Sequence, residues 1–309
     1  MVLMFSLVEF IHLIDTIVFI TVAVCLLIKN QSLRRMVRKS RTIFRVILAS
    51  NIFFAALQFY CLISINSDIW LHLGCDCLSI IGLSALMIGI VRMKVIAEPS
   101  LKSMKILVIG AHPDDMEIAC GGSLAKLCDA GHTIWGLVLS NGEMGGNSPS
   151  RLREAKKSAE FLGLSKLEIR DFPDTRLDHF ILEITKQIEI IVDELKPDVV
   201  FTHSMHDLHQ DHRSVHRATL RACRNLSTIL CYESPSTTQS FQPNVFIDIE
   251  PYIDIKIESI REHEDQNKKR YVQPEQVYGN AIFRGAQAKL KQAEGFEAIR
   301  ISLPIYLCP

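Results

Sequence analysis

Lys105-Ile-Leu-Val-Ile-Gly-Ala-His-Pro-Asp-Asp115 decides the fold of this chain. Its first seven residues are a short apolar run that reads as a buried strand. An imidazole and two carboxylates follow at the carboxyl end, where open α/β sheets place their ligand sites. A second polar cluster, His203-Ser-Met-His-Asp-Leu-His-Gln-Asp-His212, follows another apolar run, Asp198-Val-Val-Phe-Thr202. Two His/Asp clusters, each at a strand end, predict one metal site with acid/base groups beside it.

Outward from these runs, strands and helices alternate. Strands are predicted at Ile106–Ile109, Thr133–Leu139, Leu167–Arg170, Val199–Thr202, Ile229–Tyr232 and Val245–Ile249. Helices are predicted at Gly122–Ala130, Ser150–Leu162, Ile181–Leu195, Ser214–Cys223, Ile253–Glu264 and Ala281–Gln292. This alternation predicts a Rossmann-like three-layer α/β/α domain with a largely parallel sheet. Right-handed crossovers then bring the loops after the first four strands to one sheet edge. That edge collects His112–Asp115, the loop Ser140-Asn-Gly-Glu-Met-Gly-Gly-Asn-Ser148, Asp174 and His203–His212.

A catalytic zinc site usually has three protein ligands and one open position. His112 and Asp115 lie on one turn, and His212 is the natural third ligand. Asp114 is then left free to take a proton from a water acidified by the ion. His209, three residues before His212, can face a developing oxyanion, with Asp211 orienting or charging it. Zinc, or another divalent ion, is the expected cofactor. His216 reads as a helix-surface residue, and His132, His179 and His263 read as structural.

The front of the chain has a different composition. Residues 1–97 are nearly all apolar runs, residues 98–104 read as a linker, and residues 105–309 have the mixed composition of a soluble domain. About three transmembrane helices are expected, roughly Leu7–Ile28, Ile43–Ile65 and Ile69–Ile90. Lys29, Arg34, Arg35, Arg38, Lys39, Arg41 and Arg45 lie between the first two, and only Asn66-Ser-Asp68 between the second and third. Arg92, Lys94, Lys102 and Lys105 follow the third. The positive-inside rule puts these basic segments, and the domain after them, on the cytoplasmic side, with the amino terminus outside. Glu9, His12 and Asp15 in the first span read either as headgroup-level residues or as functional intramembrane groups. Lys+Arg and Asp+Glu each number 34, so net charge offers no argument for a nucleic-acid partner. The nine cysteines show no zinc-type pairing and fit reduced thiols.

Ala111-His-Pro-Asp-Asp115 together with His209-Gln-Asp-His212 resembles the PIG-L/LmbE-like family of zinc-dependent N-acetylglucosaminyl deacetylases. The resemblance covers roughly residues 105–300 and leaves the membrane part unexplained. It implies zinc on His112, Asp115 and His212, Asp114 as general base, and His209 polarising the amide carbonyl. It further implies that Arg151 contacts the substrate beyond the amino sugar and that Asp174 holds sugar hydroxyls. Ala281-Ile-Phe-Arg-Gly285 and Ala293-Glu-Gly-Phe-Glu297 resemble the family's closing segment. In the polar stretch 261–270, Asp265 replaces a serine of the family's His-x-Ser-Gln helix, which bears on the pocket rim.

The resulting expectation is a membrane-anchored hydrolase, its catalytic domain facing the cytoplasm. It would remove acetyl from an N-acetylated amino-sugar conjugate that is lipid-linked or an envelope glycan precursor. The alternatives are a deacetylase of a soluble conjugate of the thiol-cofactor precursor type and a non-catalytic carbohydrate-binding membrane protein. The second has no need of Asp114.

Overall fold

The computed structural model describes residues 2–28, 40–63, 69–93, 100 and 102–302. The chain divides into two compact units, Met1–Val95 and Ile96–Pro309.

Among the described residues of the first unit lie three long helices, α1 (Val2–Ile28), α2 (Ser40–Ile63) and α3 (Ile69–Met93). Their buried positions recur at three- and four-residue spacing, which lines up one face of each helix. These are His12, Thr16 and Phe19 on α1; Ile47, Asn51, Phe54, Gln58 and Cys61 on α2; and His72, Cys75 and Ser79 on α3. The exposed faces carry Phe10, Ile14, Ile17, Ile52, Phe53, Phe59, Ile80 and Ile81. The bundle is thus polar in several inward positions and apolar outward. His12 is fully buried, against Gln58 and His72. The expectation of three spans is only partly met. Among the described residues, one stretch, Phe44–Ile63, is long and apolar enough to cross a membrane, and Phe10–Cys25 and His72–Ser84 are shorter apolar stretches. The Glu9 side chain, residues 29–39 and 64–68, and residues 98, 99 and 101 of the linker lie outside the described residues.

The second unit is a seven-stranded sheet in the order β3-β2-β1-β4-β5-β7-β6. Its strands are β1 (Lys105–Gly110), β2 (Thr133–Ser140), β3 (Lys166–Phe172), β4 (Val199–His203), β5 (Ile229–Tyr232), β6 (Val245–Asp248) and β7 (Ala293–Arg300). The first five are parallel, and β7 pairs antiparallel with both β5 and β6. Helices α4 (Asp115–Asp129), α5 (Ser148–Leu162) and α8 (Ile253–Arg261) pack together on one face. Helices α6 (Ile181–Leu195) and α7 (Gln210–Ala222) form a pair on the other, and α9 (Pro274–Gln287) packs against β7.

Alternation along the strands builds the core. Leu107, Ile109, Leu137, Leu139 and Val200 meet Ile184, Ile188, Ile191 and Leu195 of α6 and Val215, Ala218 and Ala222 of α7. Strand β7 is absent from the sequence reading, because its Glu294, Gly295 and Glu297 hide the alternation of a strand. Burial explains the charge. Glu294 accepts the backbone N–H groups of Gly122 and Ser123 at 3.1 and 2.7 Å and pairs with buried Lys256 at 2.6 Å. It thereby caps α4 where that helix breaks at Cys120.

The switch in strand order around β1 and β4 opens a crevice at the carboxyl ends of the parallel strands, where ligands of such sheets bind. Ile188→Ala empties a fully buried position between α6 and the sheet. It should cost about 2–5 kcal/mol and lower the thermal unfolding midpoint of the full-length protein in detergent. An unchanged midpoint would show that this layer contributes little to stability.

Candidate active site

Four strand ends converge on one cavity of about 370 Å³, bordered by His112, Asp114, Asp115, Met144, Arg151, Asp174, His209, His212 and Tyr271 among others. Asp115 lies at its centre. One carboxylate oxygen takes the His112 backbone N–H at 2.7 Å and faces His112 Nδ1 at 3.4 Å. The other faces His212 Nε2 at 3.4 Å.

Each imidazole is oriented by a carboxylate on its far side. His212 Nδ1 lies 2.8 Å from Asp207 Oδ2, which leaves Nε2 bare toward Asp115. Asp207 also accepts the Ser234 and Ser236 hydroxyls and the His209 N–H. His112 Nε2 lies 3.0 Å from Asp174 and 3.1 Å from Asp211, which leaves Nδ1 toward Asp115. Carboxylate partners of this kind orient and strengthen histidine ligands.

The charges agree with this geometry. Burial works against protonation of His112, but Asp115, Asp174 and Asp211 raise it well above the ordinary imidazole value. Burial likewise opposes the charge on His212, yet Asp115 and Asp207 push it up to about 9. Despite its burial, Asp115 is held well below the usual carboxylate range by His212, His203 and His112. The cluster therefore demands positive charge, which protons or a cation can supply. Donor atoms about 2.1 Å from a tetrahedral ion stand about 3.4 Å apart. The His112–Asp115 and His212–Asp115 pairs stand at 3.4 Å, on different oxygens of the carboxylate, so each histidine has the spacing of a co-ligand of Asp115. Three overlapping donor groups lie in this cluster, His112 with His209 and His212, Asp115 with His203 and His212, and His112 with Asp174 and Asp211.

His203 is the weaker ligand of that second group. Its Nε2 accepts the Ala111 N–H at 3.1 Å, so that lone pair is occupied. Burial, followed by the charge on His212, lowers its pKa to about 4, and its ring stacks on His212 at 3.8 Å.

His209 Nδ1 accepts the Asp211 N–H at 3.2 Å, so the ring's proton resides on Nε2. Burial and the neighbouring His212 and His112 lower its pKa, favouring a neutral N–H donor. The expected role of Asp211 changes accordingly. Its main-chain N–H orients His209, while its carboxylate turns away to His112 and to the Thr175 and Leu177 N–H groups at 2.7 and 3.1 Å.

Asp114 is buried at φ 147°, a backbone conformation costing on the order of 1–3 kcal/mol for a residue with a side chain. Burial raises its pKa, Arg151 opposes the rise, and the charge of Asp115 adds to it. The rise makes Asp114 a stronger base than an ordinary carboxylate. Arg151 borders the cavity and also holds the site together. It is buried, with Nη1 on Gly142 O at 2.9 Å and Nη2 on Pro113 O at 3.3 Å and Asp114 Oδ1 at 3.1 Å. The glycine loop folds tightly over it: a Cβ on Gly142 would stand 2.7 Å from the guanidinium carbon. Asp265 secures the same loop by accepting the Asn147 N–H at 3.0 Å. Asp174 reaches His112 and the Met144 N–H, and it borders the cavity.

Four further residues carry weight that the spacing did not assign. Asp207 and His203 sit inside the second cluster, but only the fold reveals which way they point. His263, read as structural, packs 3.4 Å from Glu117, and burial notwithstanding, Glu117 and Asp114 raise its pKa. His216 is buried, not on the surface, with Nδ1 2.9 Å from His203 O. His132 accepts the Met104 N–H at 3.0 Å, in keeping with a structural role.

The sequence profile of the PIG-L family, GlcNAc-PI de-N-acetylase, matches residues 107–223. An uncharacterised deacetylase of Escherichia coli K12, YaiS, is 36% identical over 169 residues, covering 52% of this chain and 91% of the relative. The chain belongs to the PIG-L family. That places it among the N-deacetylases, hydrolases of the amide C–N bond. The diacetylchitobiose deacetylase of Thermococcus kodakarensis is 29% identical over 241 residues, 69% of this chain and 90% of the relative. The solved N,N'-diacetylchitobiose deacetylase of Pyrococcus horikoshii shares the fold, with a TM-score of 0.57 at 23% identity over 67% of this chain and 88% of that one.

Gly142→Ala places a methyl group against Arg151 at a backbone φ of +69°. By displacing the group that holds Asp114, it should reduce deacetylase turnover on the order of 10²-fold. Full activity with the alanine in place would mean that Arg151 does not position Asp114.

Proposed function

We propose that the chain is a metal-dependent N-deacetylase of an N-acetylglucosamine-type conjugate, anchored in a membrane with its catalytic unit on the cytoplasmic side. The observation that carries the chemistry is Asp114. It is a buried carboxylate of raised pKa, fixed by Arg151 next to a cluster fit for a cation.

His112, Asp115 and His212 would hold zinc or another divalent ion, which when bound supplies a Lewis acid and an acidified water. Asp114 takes the proton of the attacking water as its oxygen bonds to the acetyl carbon. The Nε2–H of His209 donates to the oxygen that becomes negative. As the C–N bond breaks, Asp114 returns the proton to the departing nitrogen. Acetate and a free amino sugar result. Asp174 and Arg151 border the space for the sugar.

The names of the relatives support an N-acetylated sugar as substrate, including a probable N-acetyl-α-D-glucosaminyl L-malate deacetylase of Bacillus cereus, 30% identical over 131 residues. The membrane reading is supported by the apolar stretch Phe44–Ile63, by a bundle with apolar residues outward, and by the basic residues between the first two helices. An anchored enzyme meets a lipid-linked substrate at raised effective concentration, which favours such a conjugate over a freely diffusing one.

Asp114→Asn should retain bound metal and lose about 10²–10⁴-fold in acetate release from an N-acetylglucosaminyl lipid. Near-normal release with metal present would place the base elsewhere. Reporter fusions after Asn66 and after Pro309 should lie on opposite sides of the membrane. Finding both on one side would refute the proposed arrangement.

A further inference from the structure

Far along the chain from the catalytic cluster, a second convergence of metal-binding side chains lies within the bundle of α1, α2 and α3. His12 of α1, Cys61 of α2 and His72 of α3 are all buried, and their donor atoms lie within 4.8 Å of one another. Each comes from a different helix, so only the packed bundle assembles them. We infer that these three side chains bind a zinc-class cation that ties the three helices together.

The hydrogen bonds around His12 prepare it as a ligand. Asp76 Oδ1 can only accept, and it lies 3.1 Å from Gln58 Nε2. The same amide nitrogen reaches Ser79 Oγ at 3.2 Å. These contacts set the Gln58 amide, whose Oε1 faces His12 Nδ1 in a short hydrogen bond. The proton of His12 therefore resides on Nδ1. Its Nε2 lone pair faces His72 Nδ1 at 2.8 Å, and the Cys61 thiol completes the group within 4.8 Å. Histidine ligands in metal sites are oriented by outer partners of this kind.

The donor set selects the ion class. Two imidazoles and a thiol suit borderline-soft cations such as zinc, not magnesium or calcium, which prefer oxygen. The two imidazole rings lie with centroids 4.9 Å apart and tilted by 36°, which leaves no room for a planar macrocycle between them. The carboxylate of Asp76, 3.5 Å from His12 Nδ1, supplies nearby negative charge. A purely hydrogen-bonded helix clamp accounts for His12, Gln58, Asp76 and His72, but it does not account for the buried thiol of Cys61, whose sulfur lies within 4.8 Å of a donor atom of each imidazole.

Cobalt reports this site separately from the catalytic one, because thiolate bound to cobalt gives a near-ultraviolet charge-transfer band and His112, Asp115 and His212 contain no sulfur. The full-length protein in detergent, stripped with chelator and reloaded with Co²⁺, should show the thiolate band. Cys61→Ser should abolish the band, and both Cys61→Ser and His72→Gln should bind one fewer cobalt per chain than the unsubstituted protein. No band in the unsubstituted protein, or a band and stoichiometry unchanged in Cys61→Ser, would overturn the assignment and leave a hydrogen-bonded clamp.

Discussion

Much of the catalytic architecture follows from the burial of one carboxylate. Asp115 is removed from bulk water at the start of α4, and an isolated buried charge is too costly to persist. His112, His203 and His212 surround it, delivered by the ends of β1 and β4. His112 and His212 gain charge in turn from Asp174, Asp207 and Asp211, while burial holds His203 neutral. The result is an inner carboxylate, a ring of histidines and an outer set of carboxylates, which is stable with protons and suited to a cation. Removing any one partner leaves another charge uncompensated, so the cluster behaves as a unit.

Asp114 stands outside that balance and is held by different means. Its backbone is strained, and its carboxylate is buried beside a second negative group. Arg151 offsets both effects by bonding to Asp114, to Pro113 O and to Gly142 O together. The glycine loop must come close enough to reach the guanidinium, which explains the absence of side chains at Gly142 and Gly145. Asp265, arriving from the segment after α8, fastens the loop from the other side. The carboxylate proposed to gain and lose a proton is thus mounted on the part of the site with the least internal charge balance.

The helical unit obeys the same rule beneath an apolar outer face. Its polar residues turn inward and meet one another, as they must where the outer face is apolar. His12, Gln58, His72, Asp76 and Ser79 form one connected set. Repetition of buried positions every three or four residues was present in the sequence, but an all-apolar helix shows no contrast by which to recognise its inner face.

Most of the α/β order was legible along the chain. Ile181–Leu195 and Ile229–Tyr232 coincide with the observed elements, because strong periodicity or a short apolar run between turns leaves little choice. The two strand-end motifs likewise announced a His/Asp site, since a sheet of this topology gathers its strand ends at one edge. Strand β7 was hidden because its charges are compensated by residues distant in sequence, Lys256 and the N–H groups of Gly122 and Ser123. For the same reason spacing could not say that Asp211 serves His112 through its carboxylate and His209 through its backbone, or that Arg151 holds Asp114. Local sequence determined which residue types stand at each strand end, because that follows from periodicity and turn chemistry. Tertiary structure alone decided the partner of each charge, because charges in a buried site are paired across the fold and not along the chain.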